Sequence, residues 1–231
     1  MIGIIGAMQM EVEHLKKELQ DSHVRTIASI AFHQGTLNGI PCVVAQCSPG
    51  KVNAAVCAQI MILCYHTDLI INTGVAGGIG AGIEIGDLVI ATAVVEHDMD
   101  TTSLGDAMGL ISGLNQVEIA TDPALTEKIA EEAASCYGAP VHKGIIATGD
   151  QFISANAKLE WIAKTFHAIC CEMEGGSIGH VCAMNHIPFA VIRAISDNGN
   201  DNATVDFAQF AVSAAEKGAK FLYHLMPKLI F

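Results

Sequence analysis

Short apolar runs that alternate with segments of helical spacing constrain the fold of this chain more than any other feature. The first run, Ile2–Gly6, has the unbroken apolar character of a fully buried strand, and helical spacing follows from Met8 to Gln20. Further strands of this kind are predicted at Asp68–Asn72, Leu88–Val95, Val141–Thr148 and Ile187–Ile195. This alternation predicts an α/β fold, a three-layer αβα sandwich with a mixed, mainly parallel central sheet.

Consecutive strands and further helices complete the pattern. The segments Val24–Ile30, Ala31–Leu37 and Pro41–Gln46 predict a meander of strands with a turn at Leu37–Ile40. Helices are predicted at Val52–Tyr65, Asp122–Tyr137, 156–165, Gly175–Met184 and Asp206–Leu225. No linker or repeat interrupts the 231 residues, of which 51% are hydrophobic, so we expect a single domain over residues 1–231.

Charge and cysteine content narrow the functional classes. The 12 basic and 24 acidic residues give a net charge of −12, which argues against nucleic acid or an acidic membrane surface as a partner. No run approaches the ~20 apolar residues of a membrane span. Most of the eight cysteines lie in hydrophobic runs without a C-x-x-C spacing, which is typical of a reducing compartment, so we expect a cytoplasmic protein.

Two carboxylates, those of Glu172 and Glu174, interrupt the apolar run from Ala168 to Val181. Buried ionised carboxylates are costly unless they are paired or hydrogen-bonded. One interpretation is an acidic first turn of the following helix, where the helix dipole favours negative charge. The other is a ligand pair for the vicinal hydroxyls of a ribose, which offer two donors to one carboxylate.

Other candidate ligand-binding residues also follow predicted strands closely. These are Glu11, the glycine-rich turn Gly74–Gly82, the exposed aromatic Phe152, the pair Glu172–Glu174, and Asp197. In open α/β sheets, ligands bind outside the carboxyl ends of the strands. The convergence of these residues favours the ligand-binding interpretation of the carboxylate pair.

Three stretches contain residues typical of cofactor or metal sites, but none of them matches a known motif. The turn Gly74–Gly82 contains no G-x-G-x-x-G register, and Gly50-Lys51-Val52 lacks the upstream glycine and the Ser or Thr of a P-loop. These departures argue against a dinucleotide oxidoreductase. His97, Asp98 and Asp100 are metal ligands by type but are too few and too close together. We therefore expect neither a metal nor a cofactor.

The loop Thr101–Val117 has an unusual density of apolar residues. We expect the following side chains to be exposed: Leu104, Met108, Leu110, Ile111 and Leu114. Such a cluster indicates a covered surface, either a lid or a subunit contact.

Several stretches in order and spacing resemble bacterial 5′-methylthioadenosine/S-adenosylhomocysteine nucleosidases, of the purine nucleoside phosphorylase-like superfamily. They are Ile2–Met8 with Glu11, Ile70–Gly74, Gly149-Asp150 with Phe152-Ile153, Glu172–Glu174 and Arg193–Asp197. The likeness covers nearly the whole chain. It implies hydrolysis of the N-glycosidic bond of methylthioadenosine and adenosylhomocysteine, which releases adenine and a thioribose.

The resemblance also implies roles for individual residues. Asp197 is the general acid that protonates purine N7, and Glu11 is the base that activates water. Adenine leaves poorly until N7 is protonated, and bond cleavage places positive charge on the ribose that nearby carboxylates stabilise. Glu174 and Met173 would hold the ribose hydroxyls, while Glu172 is expected to order the loop.

The remaining contacts implied by the resemblance involve the base and the 5′ group. Phe152 would stack on adenine, whose edge meets the backbone at Ile153, and Met8 and Phe207 would flank the ribose and the alkylthio group. The full set of substrate-binding residues is Met8, Val75, Gly77, Phe152, Ile153, Glu172, Met173, Glu174, Arg193, Ser196 and Phe207. Purine thionucleosides are the implied small-molecule partners.

Members of the family are homodimers, which implies that Thr101–Val117 contributes to the neighbour's pocket, and they act in methionine salvage. The chain departs from the family pattern at three places. Val75 replaces an expected serine, Leu104 stands where an aromatic lid residue is usual, and Asn198–Thr204 differs from the usual sequence over Asp197.

Three rival functions are weighed against hydrolysis. A phosphorolytic purine nucleoside phosphorylase needs a phosphate site, yet only Arg193 is expected near the pocket and Glu11 would repel an anion. An aminofutalosine nucleosidase would use the same residues. A non-catalytic nucleoside sensor would have no need of both an acid and a base.

Overall fold

The computed structural model describes residues 1–198 and 202–229, which form six α-helices and ten β-strands. The strands are β1 (Ile2–Gly6), β2 (Gln20–Ile27), β3 (Ile30–Leu37), β4 (Ile40–Gln46), β5 (Leu69–Gly78), β6 (Leu88–Glu96), β7 (Ile119–Ala120), β8 (Val141–Thr148), β9 (Ala168–Glu172) and β10 (Phe189–Asp197). The helices are α1 (Gln9–Glu18), α2 (Lys51–Tyr65), α3 (Pro123–Cys136), α4 (Asn156–Phe166), α5 (Gly175–Asn185) and α6 (Ala203–Leu225). Residues 199–201 of the segment expected over Asp197 lie outside the described residues.

All ten strands belong to one mixed sheet. Strands β4, β1, β5 and β10 run parallel to one another, and β2, β3 and β4 form the predicted antiparallel meander at one edge. Strand β10 also pairs antiparallel with β6, which runs parallel to β8, and β8 leads through β9 back to β5. Five strands therefore close into a ring at one end of the sheet, a closure that alternation alone does not predict.

Helices cover both faces of this sheet, and adjacent side chains on one strand show how. Ile4 of β1 packs into a core shared with α1, α3 and α6, whereas Ile5 packs into a second core shared with α2 and α5. Both side chains are fully buried. The predicted α/β class, with a central mixed sheet between helical layers, is confirmed.

Free cysteines serve mainly as packing residues. All eight cysteines are free thiols, and six of them are buried. Cys64 and Cys136 also lie in the hydrophobic runs from which we expect packing roles, but both are exposed, near the C-terminal ends of α2 and α3.

Element boundaries differ from the sequence predictions at the start of the meander and in the glycine-rich stretch. β2 begins at Gln20 rather than Val24 and is almost wholly exposed, and its turn is made by Ala28 and Ser29, both at positive φ. The predicted turn Gly74–Gly82 is wrong in its first half, because β5 continues to Gly78 as a buried strand.

The loop Thr101–Val117 is more buried than predicted. Leu104 is exposed, at 84%, but Ile111 is only 2% exposed, and its backbone N–H donates to the Gln116 carbonyl at 2.9 Å. Met108 and Leu114 are half-buried and pack against separate core clusters. The prediction of five exposed apolar side chains is therefore right for Leu104 and wrong for Ile111, because the loop folds back on the core.

Candidate active site

A cavity of about 200 Å³ opens at the carboxyl ends of β1, β5, β9 and β10. The residues predicted for the site that line it are Met8, Glu11, Val75, Gly77, Phe152, Glu172, Met173, Glu174, Ser196, Asp197 and Phe207. Ala7, Pro49, Ala76 and Cys171 also line it and were not predicted. Most of the predicted site is thus brought together from segments far apart in the chain, while Arg193 and Ile153 lie elsewhere.

The carboxylate of Glu11 is fixed by backbone groups. Glu11 lies in the first turn of α1, where Oε2 accepts hydrogen bonds from the N–H groups of Ala7 at 2.7 Å and Met8 at 2.8 Å. Oε1 accepts from the N–H of Val75 at 3.0 Å. Burial raises the pKa of Glu11 above its ordinary value, although the charge of Arg193 and these hydrogen bonds oppose the rise. A buried carboxylate with a raised pKa suits a general base.

Glycine at position 74 makes room for this carboxylate. A Cβ on Gly74 would lie 2.5 Å from Oε1 of Glu11, which is closer than real Cβ atoms come to a neighbouring heavy atom, and 3.1 Å from Nη1 of Arg193. This close approach explains why a glycine occupies position 74 within the strand. Within this stretch the backbone N–H of Val75 donates its hydrogen bond to Glu11 of the protein itself.

Glu172 organises the end of β9 and the start of α5. Its Oε2 accepts hydrogen bonds from the backbone N–H groups of Glu174 at 3.0 Å and Gly175 at 2.7 Å, and its Oε1 accepts from the hydroxyl of Thr148. The two backbone donors belong to the N-cap and the first residue of α5, where the dipole favours a carboxylate. The helix-terminus interpretation therefore applies to Glu172, although this residue also lines the cavity.

Arg193 lies beneath the carboxylates rather than in the cavity. It is 1% exposed, stands opposite Gly74 in the pairing of β10 with β5, and donates through Nη2 to Glu172 and to the side chain of Asn72. The same nitrogen is 3.8 Å from Oε2 of Glu174. From this position the guanidinium of Arg193 neutralises the buried carboxylates of Glu172 and Glu174. The predicted contact of Arg193 with substrate stays a prediction.

Asn72 and Thr148 support this buried cluster and were not predicted as site residues. Asn72 also donates through Nδ2 to the Ile5 carbonyl at 3.0 Å, and the hydroxyl of Thr148 accepts from the N–H of Gly176 at 2.6 Å. Each directly follows an apolar run within its strand, Leu69–Ile71 before Asn72 in β5 and Ile145–Ala147 before Thr148 in β8. That placement is the sequence signal that could have identified them.

Glu174 presents the second carboxylate to the cavity. Its Oε1 accepts a hydrogen bond from the N–H of Gly50 at 2.9 Å. Burial raises the pKa of Glu174, and the negative charge of neighbouring Glu172 raises it further. A carboxyl group that retains a proton can donate to one hydroxyl of a ligand and accept from another.

The third cavity carboxylate belongs to Asp197, at the end of β10. It is 3% exposed, and the hydroxyl of Ser196 donates to its Oδ2 at 2.9 Å. Asp197 reaches the cavity because β10 pairs with the long β5 up to Gly77. Asp197 is thereby held at the same carboxyl edge of the sheet as Glu11, which lies on the helix that follows β1.

An aromatic pair forms the outer part of the cavity. Phe152 is 50% exposed, and its ring meets that of Phe207 edge to face at a centroid distance of 5.7 Å. The free face of an exposed ring is suited to stacking on a planar ligand. Ile153, predicted beside it, is buried in the cluster that contains α4, and its predicted backbone contact with a base stays untested.

Two of the three candidate metal ligands have other partners, whereas the buried ring nitrogens of His97 accept and donate no hydrogen bond among the described residues. Asp98 pairs with Lys51, and Asp100 accepts hydrogen bonds from the backbone and hydroxyl of Thr102. Within residues 1–198 and 202–229, no group of three or more His, Cys, Asp or Glu side chains is placed to hold a metal ion.

Fold and cavity together define an enzyme of the nucleoside phosphorylase and hydrolase class, and the model of the Phosphorylase superfamily matches residues 1–227. At finer level the chain belongs to the 5′-methylthioadenosine/S-adenosylhomocysteine nucleosidase family, which confirms the resemblance. The nucleosidase of Anoxybacillus flavithermus is 37% identical over 229 residues, which are 99% of this chain and 98% of the relative. The nucleosidase of Shewanella sediminis is 38% identical over 229 residues, which are 99% of this chain and 99% of the relative.

Solved structures agree with this assignment. The Neisseria meningitidis nucleosidase in complex with methylthio-immucillin-A has a TM-score of 0.95 at 34% identity, with 99% of each chain covered. A futalosine hydrolase of Helicobacter pylori has a TM-score of 0.94 at 31% identity, with 99% of this chain and 97% of that chain covered.

Proposed function

We propose that this protein hydrolyses the N-glycosidic bond of 5′-methylthioadenosine and S-adenosylhomocysteine, releasing adenine together with methylthioribose or S-ribosylhomocysteine. The observation that carries the proposal is the meeting of three carboxylates, those of Glu11, Glu174 and Asp197, with the exposed ring of Phe152 in one cavity. Family membership supports the same reaction.

Asp197 is the group that prepares adenine to leave. Its proton passes to N7 of the purine as the bond between N9 and C1′ breaks, so that the bonding electrons leave with a neutral base. Its near-complete burial keeps bulk water from competing for that proton. The Ser196 hydroxyl fixes the orientation of the carboxyl group.

Glu11 completes the reaction from the ribose side. It takes a proton from water while the water oxygen bonds to C1′, and its three backbone hydrogen bonds hold the carboxylate in one position throughout. The negative charge also stabilises the positive charge that develops on the ribose. Asp197 thus loses a proton and Glu11 gains one in each turnover.

Other lining residues hold the substrate. Glu174, with Met173 beside it, binds the ribose hydroxyls, and Phe152 stacks on the purine. Met8 and Phe207 flank the ribose and the alkylthio group with apolar surface. These roles rest on the placement of all five residues in the cavity wall.

The charge distribution favours water over phosphate as the attacking group. Among the described residues that line the cavity, none is basic. The buried guanidinium of Arg193 is already engaged by Glu172 and Asn72. Phosphate recognition normally uses several charged donors, and Glu11 would repel the anion.

A second substrate class is supported by the likeness to the Helicobacter pylori futalosine hydrolase. That protein shares the fold at 31% identity. An aminofutalosine nucleosidase activity would use the same acid and base and differ only in the 5′ substituent, so both activities can reside in one site.

An assay of adenine release tests the proposed reaction. We expect purified protein to release adenine from methylthioadenosine at the same rate with and without phosphate, and to form methylthioribose without its 1-phosphate. Chromatography of both products checks this outcome. Strict dependence on phosphate, or binding without any product, would overturn the proposal. Parallel reactions with adenosylhomocysteine and aminofutalosine show which substrate is cleaved most efficiently.

We also propose that the protein is a cytoplasmic homodimer. The exposed apolar residues Val52 and Leu63 of α2 and Met184 of α5 support an interface on the side where these two helices pack together, and Leu104 is a further exposed apolar side chain. Free thiols suit a reducing compartment. In the described part of the chain, no helix has the length and apolar character to cross a bilayer.

Light scattering tests the interface. We expect a mass twice the 24.3 kDa of the chain, and we expect Leu63→Asp to shift it toward the monomer because a buried charge opposes association. The exposed substitution Val24→Asp on β2 is the matched control. A monomeric mass for the unmodified protein at micromolar concentration would exclude the dimer.

A further inference from the structure

A ring of hydrogen bonds behind the cavity joins three loops at the carboxyl ends of β4, β6 and β8. The backbone N–H of Lys51 donates to Oδ1 of Asp150 at 2.7 Å, and the backbone N–H of Asp150 donates to Oδ2 of Asp98 at 2.9 Å. The ammonium of Lys51 closes the ring by donating to Oδ1 of Asp98 at 2.7 Å. We call this arrangement the Lys51–Asp98–Asp150 ring.

Two of the three loops in the ring, those of Lys51 and Asp150, lead directly to a cavity residue. Gly50, adjacent to Lys51, donates the backbone hydrogen bond to Glu174, and Pro49 lines the cavity. Asp150 is two residues before Phe152, the stacking ring. A displacement of the ring would therefore move the ribose carboxylate and the base platform together.

The lysine is held more firmly than a surface ion pair. Its ammonium also donates to Oε2 of Glu96 at 3.0 Å, and the side chains of Lys51 and Glu96 are only 19% and 9% exposed. The other oxygen of Glu96 is 3.1 Å from Nδ1 of His180 on α5, the helix that begins directly after Glu174. The network thus reaches the ribose side of the cavity from two directions.

We propose that Lys51 is a positioning residue that fixes Glu174 and Phe152 in their working arrangement through the Lys51–Asp98–Asp150 ring. This inference rests on the proposed function. Lys51 does not line the cavity and so makes no contact with substrate there. Its effect is exerted through the Gly50 amide on the ribose side and through Asp150 on the base side, and displacements of about 1 Å at such groups can cost about 100-fold in rate.

Lys51→Met keeps the length of the side chain and removes the charge. We expect kcat/KM for methylthioadenosine to fall about 10- to 100-fold, the inhibition constant of adenine to rise, and amide exchange at Gly50, Lys51 and Asp150 to accelerate. Lys143→Met makes the same substitution in an exposed ion pair with Glu127 away from the cavity and should leave all three measurements unchanged.

A double-mutant cycle with Asp98→Asn tests whether the ring acts as one unit. We expect each single variant to lose activity and the double variant to lose little more, because one broken link opens the ring. Asp98→Asn also decides the case if Lys51→Met does not fold. Additive losses, or a kcat/KM within twofold of the unmodified enzyme, would overturn the inference.

Amide exchange separates this inference from the proposed function. If the unmodified protein releases no adenine, the proposed function fails, while faster exchange confined to Gly50, Lys51 and Asp150 still supports the ring. If activity falls in Lys51→Met with exchange unchanged at those amides, Lys51 does not position the loops and the inference is wrong.

Discussion

Asp197→Asn is expected to reduce kcat for methylthioadenosine by about 10²–10⁴-fold, the range typical of a lost general acid. Asparagine has the same size and keeps an oxygen that accepts from Ser196, so the local structure should persist. Its amide N–H can donate a hydrogen bond to N7 but has no proton to give up. Stopped assays of adenine release measure the loss, and calorimetry should show nucleoside binding within about tenfold of the original affinity, since the fold and most contacts remain.

The comparison variant is Asp21→Asn on the exposed strand β2, far from the cavity. Asp21 has φ of 52°, a conformation that asparagine tolerates, so this change should affect neither activity nor stability. A near-normal rate for Asp197→Asn would remove the acid assignment. A loss of binding equal to the loss of rate would mean that Asp197 holds substrate and does not protonate it.

Convergence of strand ends made most of the cavity predictable from the sequence. A residue just after a buried parallel strand must lie at the carboxyl edge, wherever that strand sits in the order. Glu11, Phe152, Glu174 and Asp197 were placed by this rule and by the family resemblance, and all four line the cavity.

The sequence does not determine which of the two carboxylates accepts hydrogen bonds from the helix terminus and which one is available to a ligand. Glu172 and Glu174 are two residues apart, and both interpretations of the pair were open. The structure assigns the helix-terminus interpretation to Glu172, which accepts backbone bonds, and the ligand-facing position to Glu174. The difference depends on the long-range partners Arg193 and Gly50, which only the assembled sheet brings near.

Contacts between distant segments explain the other differences. The extension of β5 to Gly78 depends on pairing with β9 and β10, more than 90 residues later in the chain. The sequence around Lys51 matches only part of a P-loop motif. In the structure, its partners Glu96 and Asp98 make Lys51 part of a supporting network. Local spacing contains no information on such partners.

Glu11→Gln is the second variant for which we expect a very large effect, because it removes the base and also disturbs the pocket that holds it. The carboxylate accepts three backbone N–H groups through two oxygens. Glutamine has one oxygen, so its NH₂ group must face at least one backbone donor. An unsatisfied buried donor costs about 1–3 kcal/mol, which corresponds to a fall in Tm of about 2–12 °C for a chain of this size.

In this variant kcat should fall by about 10²–10⁴-fold at temperatures well below its Tm. The pH profile distinguishes loss of the base from simple loss of stability. Burial raises the pKa of Glu11 above 4.5, and only the ionised form accepts a proton, so kcat/KM of the unmodified enzyme should fall as pH decreases through that raised pKa. This acidic limb should disappear from the residual activity of Glu11→Gln. Glu13→Gln, which removes only the exposed pair with Lys17 on the same helix, should retain both rate and limb, and persistence of the limb in Glu11→Gln would assign the base to another group.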